Sequence, residues 1–515
     1  MVVTDLTITF LPADEDPSTN KRSRTTWHRI EKDLYVGSGH KTAWLQVAST
    51  AEESITPDDL MVTDITIDEA APSPAWEERP GGIWLFRNKY SNHHDQVVTE
   101  IDALFGTDAV DPRPQWSLVH QPLPLDALSE VPAARLTVRH GRPKPRPARA
   151  TLRARADGTF KIVQISDTHM RAGVGACNDA LGPDGQSLPV MEADPLTMKF
   201  VGEILDVEKP DLVILTGDQL HHDILDSKSA LFKVVAPMIE RSIPFAAVFG
   251  NHDSEGTNAL SRESSYHALF VGALLIWKLA GEAQMSLLQD LPFSLCEAGL
   301  KTVDGVGNFY IQVFGHEPSS HLPLSTLFLL DSHGEIESQV QKPDYEAIKQ
   351  SQIAWFTRIS QATKKGNDNH VTMVFFHIPL PEFGDSSIII KGGQRREPTE
   401  SPSFNSHFYN ALVEEGVAVV GCGHDHVNDF CGMLPQHERN GPWLCYGGGS
   451  GFGGYCSYDG VRYHRRCRVW EIDTSTGGIR TWKRIEYAEE RVDEEVIVEG
   501  GAVVLPQKKT LGKVN

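Results

Sequence analysis

Apolar residues follow two regimes along the chain. In the first, short strand-like runs such as "LTITFL", "TAWLQVA", "LMVTDITI" and "GIWLF" are separated by polar, acidic and proline-bearing loops. Runs of that length bounded by turn residues predict strands. Residues 1–138 are therefore expected to form a β-rich accessory region. From Arg139 the pattern gives way to "RHGRPKPRPARATLRARADG", dense in proline and arginine. Fixed proline dihedrals and charge repulsion keep such a stretch extended, so residues 139–157 read as an interdomain linker, whose charge would also suit an acidic partner.

In the second regime, strand-like runs alternate with helical spacing. "FKIVQIS" is followed by "PLTMKFVGEILDVEK", with Leu196, Phe200, Ile204 and Val207 at helical intervals, and then by "DLVILTG". The unit repeats with "KSALFKVVAPMIERS" and "PFAAVFG", and later with "VTMVFF", "SHFYNALVEEG" and "VAVVGCG". Apolar runs without alternation belong to strands buried on both faces, so residues 158–490 are expected to fold as an α/β layered domain. Residues 491–515 read as a C-terminal tail, and no solenoid-type repeat is evident. One segment, Ser264 to Ala283, is apolar and unlike its flanks, which read smoothly together. It is expected to be an insertion, such as a translated intron, with an amphipathic lid helix as the alternative, and it is short for a membrane span, which needs roughly 20 apolar residues.

The chain has 515 residues, 40% hydrophobic and 23% charged, the balance of a soluble globular protein of more than one domain. Its formal net charge of −21 argues against nucleic-acid or anionic-membrane partners, which need a basic face. The start, "MVVTDLTITFLPADED", carries no secretory pattern, so a cytoplasmic location is expected. Seven cysteines without a CxxC pair are expected to be reduced structural thiols.

Ligands in α/β sheets collect at the carboxyl ends of strands, so the residues that follow each strand carry the candidate chemistry. After "KIVQIS" come Asp167 and His169; after "LVILTG", Asp218; after "AAVFG", Asn251, His252 and Asp253; after "MVFF", His377; after "VVGCG", His424 and His426. Five strands thus deliver carboxylate, carboxamide and imidazole groups to one edge, the donor set of borderline divalent metals. In Asp-x-His and His-x-His, ligands two residues apart can reach neighbouring ions, and Asp218 has the two oxygens needed to bridge them.

This order of motifs, "SDTH", "TGDQ", "GNHD", "FFHIPL" and "GHDHVNDF", resembles the calcineurin-like metallophosphoesterase superfamily over Phe160 to Tyr487. Together with "CYGGGSGFGGY" and the amino-terminal "DLYVGSGHKTAWLQVA", it is similar to fungal protein phosphatases described as dosage-dependent cell-cycle regulators and to purple-acid-phosphatase-like plant proteins. The resemblance implies a β-sandwich of two mixed sheets flanked by helices, with two metal ions (manganese, iron or zinc) at one edge. It implies that Asp167, His169 and His426 hold one ion, that Asn251, His377 and His424 hold the other, and that Asp218 bridges. His252 is then the proton donor near the leaving oxygen, with Asp253 orienting it or serving as a turn carboxylate. Purple acid phosphatases carry a tyrosine ligand three residues after the GD aspartate, where this chain has His221; a ferric tyrosinate is not expected. His221, His222 and Asp223 read as loop residues facing water, or as contacts to metal or substrate.

Two cations about 3.5–4 Å apart would clamp phosphoryl oxygens and acidify a shared water, whose hydroxide is the expected nucleophile. The expected activity is a phosphomonoesterase on phosphoserine or phosphothreonine in proteins, with a phosphodiesterase or small-molecule phosphatase as alternative and a non-catalytic scaffold as a third. A serine hydrolase is excluded because "GGGSGFGG" lacks the GxSxG elbow around Ser450, and a P-loop because no GK[ST] follows. The same glycine run reads as close backbone approach to substrate or as turn permissiveness.

Overall fold

The computed structural model describes residues 1–11, 26–36, 42–89, 94–126, 131–145, 149–188, 192–222, 224–254, 282–336, 344–363, 369–435 and 440–506. Asp223 and residues 264–281 of the apolar segment lie outside the described residues.

The accessory region is three successive triplets of strands with one topology. β1 (Val2–Leu11), β2 (Thr26–Asp33) and β3 (Thr42–Thr50) form a sheet in the order β1-β3-β2. β4 (Leu60–Ile67), β5 (Glu77–Arg79) and β6 (Ile83–Lys89), then β7 (Val98–Phe105), β8 (Trp116–Leu118) and β9 (Ala134–His140), repeat that order as β4-β6-β5 and β7-β9-β8. The first strand of each triplet breaks register at the same place, between Val3 and Asp5, Val62 and Asp64, and Val98 and Glu100. The bulged residue is each time a threonine, Thr4, Thr63 or Thr99, whose hydroxyl donates to a carbonyl of the paired strand, on Ala48, Phe86 and Arg139 respectively. Val2, Met61 and Val97 precede the bulges and pack together in one cluster. The signature is legible once the register is known: "VVTDLTI", "MVTDITI" and "VVTEIDA" are the same seven positions. Their separations are irregular, which hides the repeat from a search at fixed period.

Beyond the accessory region, the chain forms a sandwich of two mixed sheets. One has seven strands, with Thr159–Ile165, Leu212–Thr216 and Phe245–Val248 parallel and Arg466–Asp473, Gly478–Ile485, Val492–Glu499 and Ala502–Val503 antiparallel. The other has eight, including Val371–Phe375, Val419–Cys422 and Trp443–Tyr446 in parallel. Alternate residues of the first sheet face opposite cores: Ile162, Ile214 and Ala246 meet Leu327, Met373 and Trp470 between the sheets. Val163, Leu215 and Phe245 face outward, onto α1 (Ala193–Glu208), α2 (Ser227–Glu240) and the accessory strands. Both faces are buried, which accounts for the unalternating runs.

Three boundaries shift. Arg139 and His140 belong to β9 and Leu152 pairs with Val313, so the linker is shorter than 139–157. Val492–Glu499 is a strand with Ile497 and Val498 in the core, so the expected tail contributes to the sandwich. In α1, Phe200 and Ile204 of the expected face are buried, with Val201 and Leu205 beside them, while Val207 is 64% exposed. The cysteines also differ from expectation. Cys431 and Cys445 are register partners on adjacent antiparallel strands, Cα atoms 4.1 Å apart, and form a disulfide; the other five are free. Nothing in their sequence spacing announces that register.

Candidate metal centre

All the expected ligands lie at the carboxyl edge of the parallel strands. Asp167, His169, Asp218 and His424 adopt left-handed backbone conformations, with φ of 57°, 46°, 48° and 77°. That region costs a non-glycine residue of order 1–3 kcal/mol, and its clustering marks a functional turn. The turns are laced to each other: His169 N–H donates to the Asp218 carbonyl at 3.0 Å, and His424 N–H to an Asp167 carboxylate oxygen at 3.1 Å. Gln164, fully buried, ties the two sheets together beneath them through Thr216 Oγ1 at 3.1 Å and the Cys422 carbonyl at 3.0 Å.

Two groups of ligand atoms result. Asp167, His169 and His426 form one, and Asp218, His377 and His424 the other, each within 4.8 Å. In the first, the Nε2 atoms of His169 and His426 are 3.1 Å apart, and His426 Nε2 is 3.5 Å from Asp167 Oδ1. His426 Nδ1 faces the Tyr455 carbonyl at 2.7 Å, which fixes its tautomer, and the ring stacks on Tyr455 at 4.0 Å. In the second, His377 Nδ1 faces the Thr216 carbonyl at 2.9 Å, while its Nε2 meets Asn251 Oδ1 at 3.1 Å, Asp218 Oδ2 at 3.2 Å and His424 Nδ1 at 3.2 Å. Asp218 Oδ2 is also 3.8 Å from His169 Nε2, so one carboxylate faces both groups.

The residues fit cations. Imidazole nitrogens and carboxylate and carboxamide oxygens converge at each point, a set of atoms suited to a borderline divalent cation. Burial pushes His169 and His424 well below the ordinary imidazole range and His426 down to about 3, leaving neutral rings with free lone pairs. Burial opposes charge on Asp218 too, yet His377, His252 and His169 hold it well below the usual carboxylate range. His377 is the exception: burial disfavours its charge, but Asp218 and Asp167 raise it to about 10, so without metal a proton sits where the acceptors meet.

His252 stands apart from the buried ligands, its side chain 30% exposed and its Nε2 3.9 Å from Asp218 Oδ2. Its backbone N–H donates to Asp218 Oδ1 at 2.9 Å, which fixes the turn that carries the ring. The two oxygens of Asp253 accept the backbone N–H groups of Gly250 at 2.7 Å and Leu220 at 2.9 Å, clamping the two turns together as a turn carboxylate does. Gly250 is required by crowding: a Cβ there would strike the Asp218 carboxylate and lie 2.7 Å from His377 Nε2.

His221 is buried, unlike the water-facing residue expected. Its ring lies 5.7 Å from that of His169 and its Nε2 3.0 Å from Arg171, outside both ligand groups. His222 is exposed, at 5.8 Å from His252. The glycine run does make a close backbone approach, but to the ligands: a Cβ on Gly454 would lie 2.5 Å from His426 Cε1, and one on Gly451 would overlap the Thr168 carbonyl.

The sequence reading missed the scaffold around the His-x-His turn. Asp429 is buried among Arg396 at 2.5 Å, Arg466 at 2.7 Å and Lys483 at 2.7 Å, which hold its carboxyl far below the usual range against burial. Asn428 Oδ1 accepts the N–H groups of Arg396 and Glu397, and Tyr446 Oη donates to Asp425 at 2.6 Å. The "NDF" that follows the ligands was the available signal, a run of polar residues entering a buried strand.

The sandwich, the ordered motifs and the paired ligand groups define a class, and the chain belongs to it: the calcineurin-like phosphoesterase family, whose sequence profile matches residues 160–428. Members use two metal ions, and the two ligand groups are the counterpart here. The chain is 36% identical over 400 residues to phosphatase DCR2 of Saccharomyces cerevisiae, a match covering 75% of this chain and 64% of that one. It is 31% identical over 478 residues to an uncharacterized protein of Schizosaccharomyces pombe, covering 90% and 83% of the two chains. It is 34% identical over 369 residues to "Probable inactive purple acid phosphatase 28" of Arabidopsis thaliana, covering 68% and 86%. Among the described residues, no helix is long and apolar enough to cross a membrane.

Proposed function

We propose that the chain is a dinuclear-metal phosphomonoesterase acting on phosphoserine or phosphothreonine in proteins. The observation that carries the reading is Asp218, one buried carboxylate facing both ligand groups while its other oxygen holds the backbone of His252 at the mouth. Two bound cations would supply charge neutralisation for phosphoryl oxygens and an acidified water as nucleophile. The chain's residues do the rest. Asp167, His169, Asp218, Asn251, His377, His424 and His426 hold the pair, and Tyr345 walls the His424 side with its ring 4.7 Å away. His252 Nε2, the exposed imidazole, delivers a proton to the departing oxygen of serine or threonine.

The name of the Arabidopsis relative calls that protein probably inactive, but all seven ligands are present here and drawn together, which supports turnover. The protein-substrate assignment rests on the resemblance to the fungal phosphatases.

The test is hydrolysis of a phosphoserine peptide against a matched phosphodiester by manganese- or iron-loaded protein, with and without chelator. Chelator-sensitive turnover favouring the peptide is expected. Preference for the diester would make the chain a phosphodiesterase, and no turnover on either would return it to the scaffold reading.

A further inference from the structure

The three accessory repeats agree in their bulges and axial residues and disagree at one place. Counting from the bulge, Asp102 of β7 occupies the position of Thr7 in β1 and Thr66 in β4. Both threonines are half-buried, whereas Asp102 is 7% exposed and faces Lys228 at 2.9 Å, Arg113 at 3.3 Å and Lys32 at 4.0 Å. Three positions on, Phe10 of the first repeat is 50% exposed and Phe105 of the third is 1% exposed. The third repeat departs from the pattern where it meets α2.

The departure continues to the metal centre. Gly106 takes φ 108° and lies directly on the segment after His169: a Cβ on it would sit 2.8 Å from Gly173 Cα. Next along, Asp108 Oδ2 accepts from Lys233 Nζ at 2.8 Å. Lys233, on α2, has a fully buried side chain and also donates to the Gly173 carbonyl at 2.7 Å and to Asp194 Oδ2 at 2.5 Å. An ammonium has three protons, and each has an acceptor. Asp194 in turn accepts the backbone N–H of Arg171 at 2.8 Å. One buried cation therefore binds the accessory region, the start of α1 and the chain just beyond His169.

We infer that Lys233 is a positioning residue for the His169 side of the metal pair, and that the accessory region, through Asp108 and Gly106, is part of the scaffold of the metal centre. The inference rests on the metal reading of that ligand group and not on the substrate. A purely structural clamp is the rival, and the interface contains a control for it. Lys228 ties the same accessory region to the same helix through Asp102, away from the segment that follows His169.

The experiment is titration of metal-depleted, full-length Lys233→Met, Asp108→Ala and Lys228→Ala with Co²⁺, followed by its visible absorption, with melting temperatures in parallel. In Lys233→Met and Asp108→Ala, one of the two cobalt equivalents should weaken by about 10-fold, the low end of the cost of losing a direct outer partner of a metal ligand, because Lys233 acts on the His169 turn through Gly173 and Arg171. Lys228→Ala should melt earlier while binding both equivalents as the wild type does. Wild-type binding in Asp108→Ala, or equal weakening in Lys228→Ala, overturns the inference. Asp108→Ala, at an edge position, decides the matter if Lys233→Met does not fold. Wild-type protein that takes up no cobalt overturns the metal reading and this inference with it, whereas cobalt uptake without peptide hydrolysis fails only the proposed substrate.

Discussion

At the scale of single residues, the proposal divides the centre into buried groups that would hold cations and one, His252, that would face substrate. His252→Ala is expected to retain both metals and lose about 10²–10⁴-fold in turnover, the usual worth of a positioned acid. Asp218→Asn should lose metal as well, because that carboxylate faces both ligand groups. Metal content and kcat on the same preparations check this, and equal metal loss in the two variants would make His252 a ligand. His377 makes a second prediction. Raised to about 10 in the metal-free protein, it carries a proton that metal must displace, so loading below that pH releases protons and affinity climbs with pH. Calorimetry in buffers of different ionisation enthalpy measures the release. The sign for stability follows from the raised value: in metal-free protein this imidazolium's contribution is full below the ordinary pKa of 6.5 and is lost as pH rises through about 10. The seven ligands were legible because each directly follows an apolar strand. Asp253 and His221 were named from sequence without their partners, and Tyr455 was not named, since such roles depend on which backbone groups and rings the fold places beside them.

At the scale of elements, the ligand turns are held by buried polar groups away from the ions. Asp429→Ala would remove the carboxylate shared by Arg396, Arg466 and Lys483, leaving Lys483 with Asp493 and the arginines with backbone carbonyls, and breaking such a buried set costs about 3–5 kcal/mol. Chemical denaturation should show that loss with a matching fall in the affinity of the ion near His426. Unchanged stability would mean that the cations find other partners. The strands themselves were readable from composition, but the threefold character of the accessory region was not. A bulge is a property of register, and only pairing shows that Thr4, Thr63 and Thr99 play one part. The pairing of Cys431 with Cys445 was hidden for the same reason.

At the scale of the molecule, the accessory strands and the outer face of the seven-stranded sheet share one hydrophobic core, so what reads as two domains in sequence is continuous in packing. Metal should stabilise this whole: an ion at about 1,000 times its Kd adds about 4 kcal/mol. Chelation is expected to lower the melting temperature of the full chain in one transition. The central claim is that two ions sit at this edge and share Asp218, and anomalous diffraction from a manganese-loaded crystal tests it most directly. Two peaks about 3.5–4 Å apart are predicted, one among Asp167, His169 and His426, the other among Asn251, His377 and His424, with Asp218 touching both. A single peak, or an ion held by His221 and His222 instead, would contradict the account.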